Sequence, residues 1–225
     1  MNARVREMIK EALISEGVEE IFKIGEENAK YGIDIFGEEY MAKIDKIKLP
    51  NTKLKLIQQI LKRAIDEFKK VNKIKGVDFS KKFKTLVDVY NDRKDDLNFA
   101  TDVLNDLVDK FTDLFDELKQ EKSSFEKIGI DFEEKAFYDI LKAVAEKYQF
   151  DYSHEKLIKL SCEIKKLVDD KARYTDWSKR DDIKAELKMD LIILMDKHKY
   201  PPVPRDEIFK EIFEQAENFK KYTDV

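Results

Sequence analysis

The residues best suited to nucleophilic or acid–base chemistry are scarce in this chain: two histidines, His154 and His198, and one cysteine, Cys162, among 225 residues. His154 and Cys162 are eight positions apart. On a shared helix that is about 12 Å of rise, too far for a base to activate a thiol. Cys162 therefore reads as core filler. His198 reads as a helix terminator whose partly positive ring suits the C-terminal end of the dipole. No Gly-rich loop followed by Lys and Ser or Thr is present, so no nucleotide cradle is visible. Paired carboxylates occur everywhere, but in a chain that is 41% charged they carry almost no information. "PPVP" at 201–204 has the letters of a polyproline ligand and reads better as a connector between helices. The expectation is no catalytic residue and no metal-ligand set.

Charge patterning says more. Residues 43–84 hold fourteen Lys/Arg against four Asp/Glu, whereas 85–118 hold three against ten. Lys55, Lys62 and Lys69 recur every seven residues, flanked by Arg63 and Lys70. Counted from the apolar positions of the same segment, they occupy its outer face. Asp102, Asp106, Asp109, Asp113 and Asp116 form a second outer stripe. Aspartate is a mediocre helix former and like charges four apart repel, so both stripes cost a little helix stability. Partnered stripes would flank a core seam; these point away from it. Two readings stand. Both are solvated faces, or the basic one is a track about 21 Å long, at 1.5 Å per residue, facing a phosphate backbone and positioning nucleic acid without reading its sequence. Divalent metal on the Asp stripe lacks the loop geometry of a calcium site.

The stretch "ARYTDWSKRDD", 172–182, holds the only tryptophan, Trp177, among charges. Ser178 with Asp181 three residues on resembles a capping box with Asp in place of Glu. Asp181 and Asp182 offset Lys179 and Arg180, which sit at the helix end where cations are least welcome. Trp177 either packs on its own unit or, with Lys179 and Arg180, anchors a partner, since Trp and Arg are favoured at interface hot spots.

The elements that carry these residues are helices. Leu54, Ile57, Leu61, Ala64, Phe68 and Val71 alternate in steps of three and four, after Pro50 and the cap candidates Asn51 and Thr52. A second helix reads Phe83, Leu86, Val87, Tyr90. A third runs Leu97, Ala100, Leu104, Leu107, Phe111, Leu114, Leu118. The period fades over "QEKSSFEKIG", 120–129, which reads as a linker or hinge. Asp131 then caps a helix with stripe Phe137, Ile140, Leu141, Val144, Tyr148. Ser153 caps one with Leu157, Leu160, Ile164, Leu167, Val168. Ser178 opens one with Ile183, Leu187, Leu191, Leu194, Met195, stopped by the prolines after Tyr200. A last helix carries Ile208, Phe209, Ile212, Phe213, Ala216 and Phe219. In the first fifty residues "VREMIKEALI" and "FGEEYMAKIDKI" look helical, and "VEEIFKIG" is open between strand and helix.

Composition agrees. Few Gly and Pro, with abundant Lys, Glu, Asp and Leu, suit long amphipathic helices. The longest apolar run is "LIILM", 191–195, far short of a membrane span. A single cysteine fits a reducing compartment, and net charge is −4. The expected fold is all-α in two helical units: 1–122, a linker at 123–130, and 131–225. The expected location is cytoplasmic.

"IDFEEKAFYDILKAVAEKY", "DWSKRDDIKAELKMDLIILMDKHKYPP" and "RDEIFKEIFEQAENF" resemble the C-terminal end of the motor-endonuclease (R) subunit of type I restriction enzymes. "KIDKIKLPNTKLKLIQQIL" resembles the helical region before it in type IC enzymes. The likeness covers roughly 36–222. It implies a non-catalytic helical piece that docks on the methyltransferase–specificity core and braces the motor near DNA. ATP and magnesium would belong to motor and nuclease domains whose motifs this sequence lacks. Expected partners are that core, the motor domains, and the duplex backbone through Lys55, Lys62, Arg63, Lys69 and Lys70. The rival reading is a helical scaffold that touches no DNA.

Overall fold

The computed structural model describes residues 44, 46–47, 50–92, 101–172, 177–201 and 205–223. The readings of "VREMIKEALI", "VEEIFKIG", nearly all of "FGEEYMAKIDKI" and residues 97–100 lie outside them. Among the described residues there are eight α-helices, one 3-10 turn and no strand: α1 (Pro50–Val71), α2 (Lys73–Asn91), α3 (Thr101–Lys122), α4 (Ser124–Ile128), α5 (Phe132–Lys147), α6 (His154–Ala172), the turn Trp177–Lys179, α7 (Asp181–Lys197) and α8 (Arg205–Thr223). The all-α expectation is met.

By Cα proximity the chain forms two compact units. The first holds Met1–Ile65 and Phe79–Lys119, the second Asp66–Asp78 and Gln120–Val225. In the first, the α1 stripe lies inside as its period requires: Leu54, Ile57, Leu61 and Ala64 are buried, joined by Leu56 and Ile65. Leu107, Phe111, Leu114 and Leu118 bury the corresponding face of α3. Phe83 of α2 meets Phe111 edge to face at 5.8 Å, and Lys82 pairs with Glu117. α1 begins at Pro50 itself, a residue pre-set for the first helical position. Asn51 and Thr52 fall inside the first turn instead of capping it.

In the second unit α5 packs on α6 and α8, α6 on α7, and the 3-10 turn on α6 and α7. The core joins Phe137, Ile140 and Leu141 of α5, Leu157, Leu160 and Ile164 of α6, Leu187 and Leu191 of α7, and Ile208 and Ile212 of α8. Each such side chain contributes about 1.5–3 kcal/mol by burial. Tyr200 seals one end: its hydroxyl donates to the Leu141 carbonyl at 2.7 Å, and Phe150 and Tyr152 meet its ring edge-on.

Local chemistry sets the helix ends. Asp131 closes a full capping box at α5: its Oδ1 accepts from Glu134 N at 2.7 Å, and Glu134 Oε2 accepts from Asp131 N at 2.9 Å. Three helices end in the same reverse turn, with a backbone N–H bonded five residues back: Ile130 to Phe125, Phe150 to Ala145 and Tyr200 to Met195. Such turns need a left-handed residue just before the donor. Gly129 supplies φ 72° at the first, and Gln149 and Lys199 supply 55° and 54° at the others. Residues 120–128, where the apolar period fades, stay helical apart from the turn at Ser123.

The start of α7 departs from the capping box expected at Ser178. Ser178 lies in the 3-10 turn, and Arg180 occupies the N-cap position with no side-chain cap bond. The buried Trp177 accounts for the shift. Its side chain is wholly enclosed by the second unit, and seating that indole uses up the turn in which Ser178 would have capped. Arg180 is compensated differently, by a two-pronged contact with Asp182.

Candidate interaction surfaces

α1 presents its cations unevenly. Lys55 and Lys62 are exposed and Arg63 is half-buried, all in the first unit. Lys69 and Lys70, in the second, are half-buried. Lys70 Nζ reaches Glu67 at 2.7 Å. The stem of Lys69 is packed against α2, where a Cβ added at Gly76 would lie 2.4 Å from Lys69 Cγ and 2.8 Å from Lys69 Cα. Only glycine permits that approach. The five aspartates of α3 are all exposed, with Lys110 paired to Asp106 at 2.6 Å. Among the described residues no group of His, Cys, Asp and Glu is arranged to hold a metal ion.

Of the reactive side chains, Cys162 is half-buried on α6. Burial, followed by its contact with Glu134, pushes the thiol up to about 11, so it stays protonated and poorly nucleophilic at neutral pH. His154 accepts or donates at Nδ1 to the Tyr138 hydroxyl at 2.9 Å. His198 stands at the C-cap of α7 with Nε2 3.0 Å from Glu163. The closeness of His198, with Lys197 beside it, holds the Glu163 carboxyl below its ordinary range. The two histidines and the thiol belong to helix ends and packing; they do not converge.

Around the α7 start, Trp177 offers no surface, while Lys179 and Arg180 are exposed. The indole Nε1 is buried without a hydrogen-bond partner. Sequence reasoning missed the most organised polar feature, a buried network in the second unit. Asn72 breaks the run between α1 and α2. Its Nδ2 donates to Asp139 Oδ2 at 2.7 Å. Lys135 Nζ donates to both Asp139 oxygens at 2.7 and 2.6 Å and to Glu121 at 2.8 Å. Burial raises the Asp139 carboxyl despite these partners. Gln215 of α8 spans the break: its Oε1 accepts from Lys73 N and its Nε2 donates to the Val71 carbonyl, both at 2.9 Å. An all-helical unit thereby satisfies the backbone groups that a helix break leaves bare.

The described helices carry charged outer faces, and residues 1–222 match the family described as "Type I restriction enzyme HindI endonuclease subunit-like, C-terminal". The chain belongs to that family. Over 213 residues, 95% of its length, it is 23% identical to the HindI endonuclease subunit of Haemophilus influenzae. It covers 19% of that relative, about one fifth. No solved structure matches. Among the described residues no helix is long and apolar enough to cross a membrane.

Proposed function

We propose that this chain acts as a non-catalytic C-terminal module of a type I restriction endonuclease subunit, working in the cytoplasm. It docks on the methyltransferase–specificity core and braces the motor near DNA. The observation that carries this reading is the family match along almost the whole chain, and the helical architecture with its separated charge faces supports it. On this reading the chain needs no cofactor of its own, ATP and magnesium serving the motor and nuclease parts of the larger subunit, and it should neither turn over ATP nor cut plasmid DNA. Phosphate contacts fall to the cations of α1, with Lys55 and Lys62 the most accessible. Co-purification with the methyltransferase–specificity core tests the docking role. Duplex binding measured across salt concentrations tests the DNA role. Changing Lys62, Arg63 and Lys69 together to Gln keeps the Cβ and Cγ atoms through which Lys69 packs on Gly76, so the helical signal should match that of the parent. It should make the salt slope shallower by up to roughly 0.9 per lost phosphate contact. A triple variant that binds like the parent at every salt concentration would reduce the cations to solvated surface and leave docking alone.

A further inference from the structure

α7 is apolar on two sides. Leu187, Leu191 and Met195 face the core, whereas Met189 and Ile193, one turn apart on the opposite side, are 57% and 62% exposed. Among the described residues Val77, Val89, Val103 and Phe132, the other large apolar residues left exposed, lie on other helices. Ile193 instead forms one lip of a groove of about 840 Å³ between α6 and α7, with Leu167 and Leu194 in its lining. Apolar surface rimmed by charge is the usual mark of a protein contact.

The charges of that rim are arranged by depth. Near the start of α7, Lys171 is tucked in, at 14% side-chain exposure, beneath its partner Glu186 at 63%. Asp190 also pairs with Lys171, at 3.2 Å. At the other end the order reverses: Lys197 is 69% exposed against Glu163 at 37%. Within the lining itself Glu163, Asp169, Asp170 and Asp190 stand against Lys166 and Lys197. The end of the groove near the start of α7 therefore presents negative charge beside an apolar floor.

Resting on the assembly reading above, we infer that the α6–α7 groove seats one amphipathic helix of another subunit. Its apolar side meets Leu167, Ile193 and Leu194, and its Lys or Arg residues lie toward Asp169, Asp170 and Asp190. A groove between two helices accepts the ridge of a third. An ordinary helix carries its cations near its C-terminus, and that end would lie at the acidic end of the groove. A second copy of this chain fits worse. Two exposed apolar residues fall well short of the roughly 800 Å² per partner that a stable dimer buries, whereas one helix within a larger assembly needs only such a patch.

The experiment mixes this chain with the purified methyltransferase–specificity core and measures binding for the parent, Ile193→Glu, Met189→Glu, Ile193→Leu, and the pair Asp169→Asn with Asp170→Asn. Both apolar positions are exposed, so thermal melts should match the parent. The expected result is at least tenfold weaker binding for Ile193→Glu, near-parent binding for Ile193→Leu, and a shallower salt dependence for the Asn pair. Parent-like binding by Ile193→Glu overturns the groove and leaves the docking role standing. A parent chain that does not bind the core removes both. Self-association of the parent that Ile193→Glu abolishes gives the groove to a second copy and overturns the proposal as well.

Discussion

At the residue scale the second unit depends on a buried charge pair. Lys135 and Asp139 are one turn apart on α5 and nearly closed to solvent. Removing one partner of such a pair costs about 3–5 kcal/mol because the other charge is left buried alone, whereas replacing both with apolar residues is often close to neutral. Asp139→Leu should therefore lower the urea midpoint sharply. The double change Lys135→Met with Asp139→Leu should recover much of the loss, although Asn72 keeps a donor that Asp139 no longer accepts. The pH dependence of the parent follows from the directions of two shifts. Burial raises Asp139, so its contribution is present at low pH and is lost as pH rises through its folded value. Glu121 is held below its usual range, with burial opposing and Lys135 prevailing. Its contribution is present above the unfolded value and is lost as pH falls through the folded one. None of this was legible in the sequence. Asn72, Glu121, Lys135, Asp139 and Gln215 are polar residues scattered in a chain where polar residues usually mean surface, and only the gap between two helical periods at Asn72 hinted at a break. Asp131, by contrast, was legible, because its cap, its Glu134 and the apolar stripe behind it all lie within one local window.

At the element scale, helix ends show where local rules stop. Gly129 takes a left-handed conformation without cost, but Lys199 is driven into the same conformation by the turn that delivers Tyr200 to the core. A left-handed backbone costs an ordinary residue about 1–2 kcal/mol. Lys199→Gly should therefore raise the melting temperature, with a gain of up to about 1 kcal/mol after the added freedom of the unfolded chain. A matched change inside α7, Lys188→Gly, should lower it by about 1 kcal/mol. If both move the same way, the turn at 199 is not strained. The stripes of α1, α5, α6 and α8 could be read because core-facing residues repeat every three or four. The opening of α7 could not, because its start is fixed by a tryptophan packed from a neighbouring turn, a tertiary event that overrides the local Ser178–Asp181 pattern.

At the scale of the whole molecule, the sequence points to a division at 123–130, while proximity in the fold assigns Asp66–Asp78 to the same unit as the C-terminal helices. The two divisions differ in an observable way. On the proximity division, residues 131–225 expressed alone lose Asn72, which serves Asp139, and Glu121, which serves Lys135. They should melt well below the full chain and bind dye as loosely packed states do. A 131–225 piece as stable as the full chain's C-terminal helices would favour the division drawn from the sequence. On the proposed reading the labour is divided by helix and not by unit: the cations of α1, which fall in both units, would meet phosphates, and the acidic groove of α6 and α7 would meet protein.

Gln215 joins backbone groups of Val71 and Lys73 across 144 and 142 positions of sequence. Translation makes the break at Asn72 long before it makes the side chain that bridges it. At roughly 5–20 residues per second, that delay is roughly 7–30 s. During it the Val71 carbonyl and the Lys73 amide are without the Gln215 side chain. The junction is thus a late event of biosynthesis, and a ribosome that stops short of α8 leaves an early helix pair permanently unfinished.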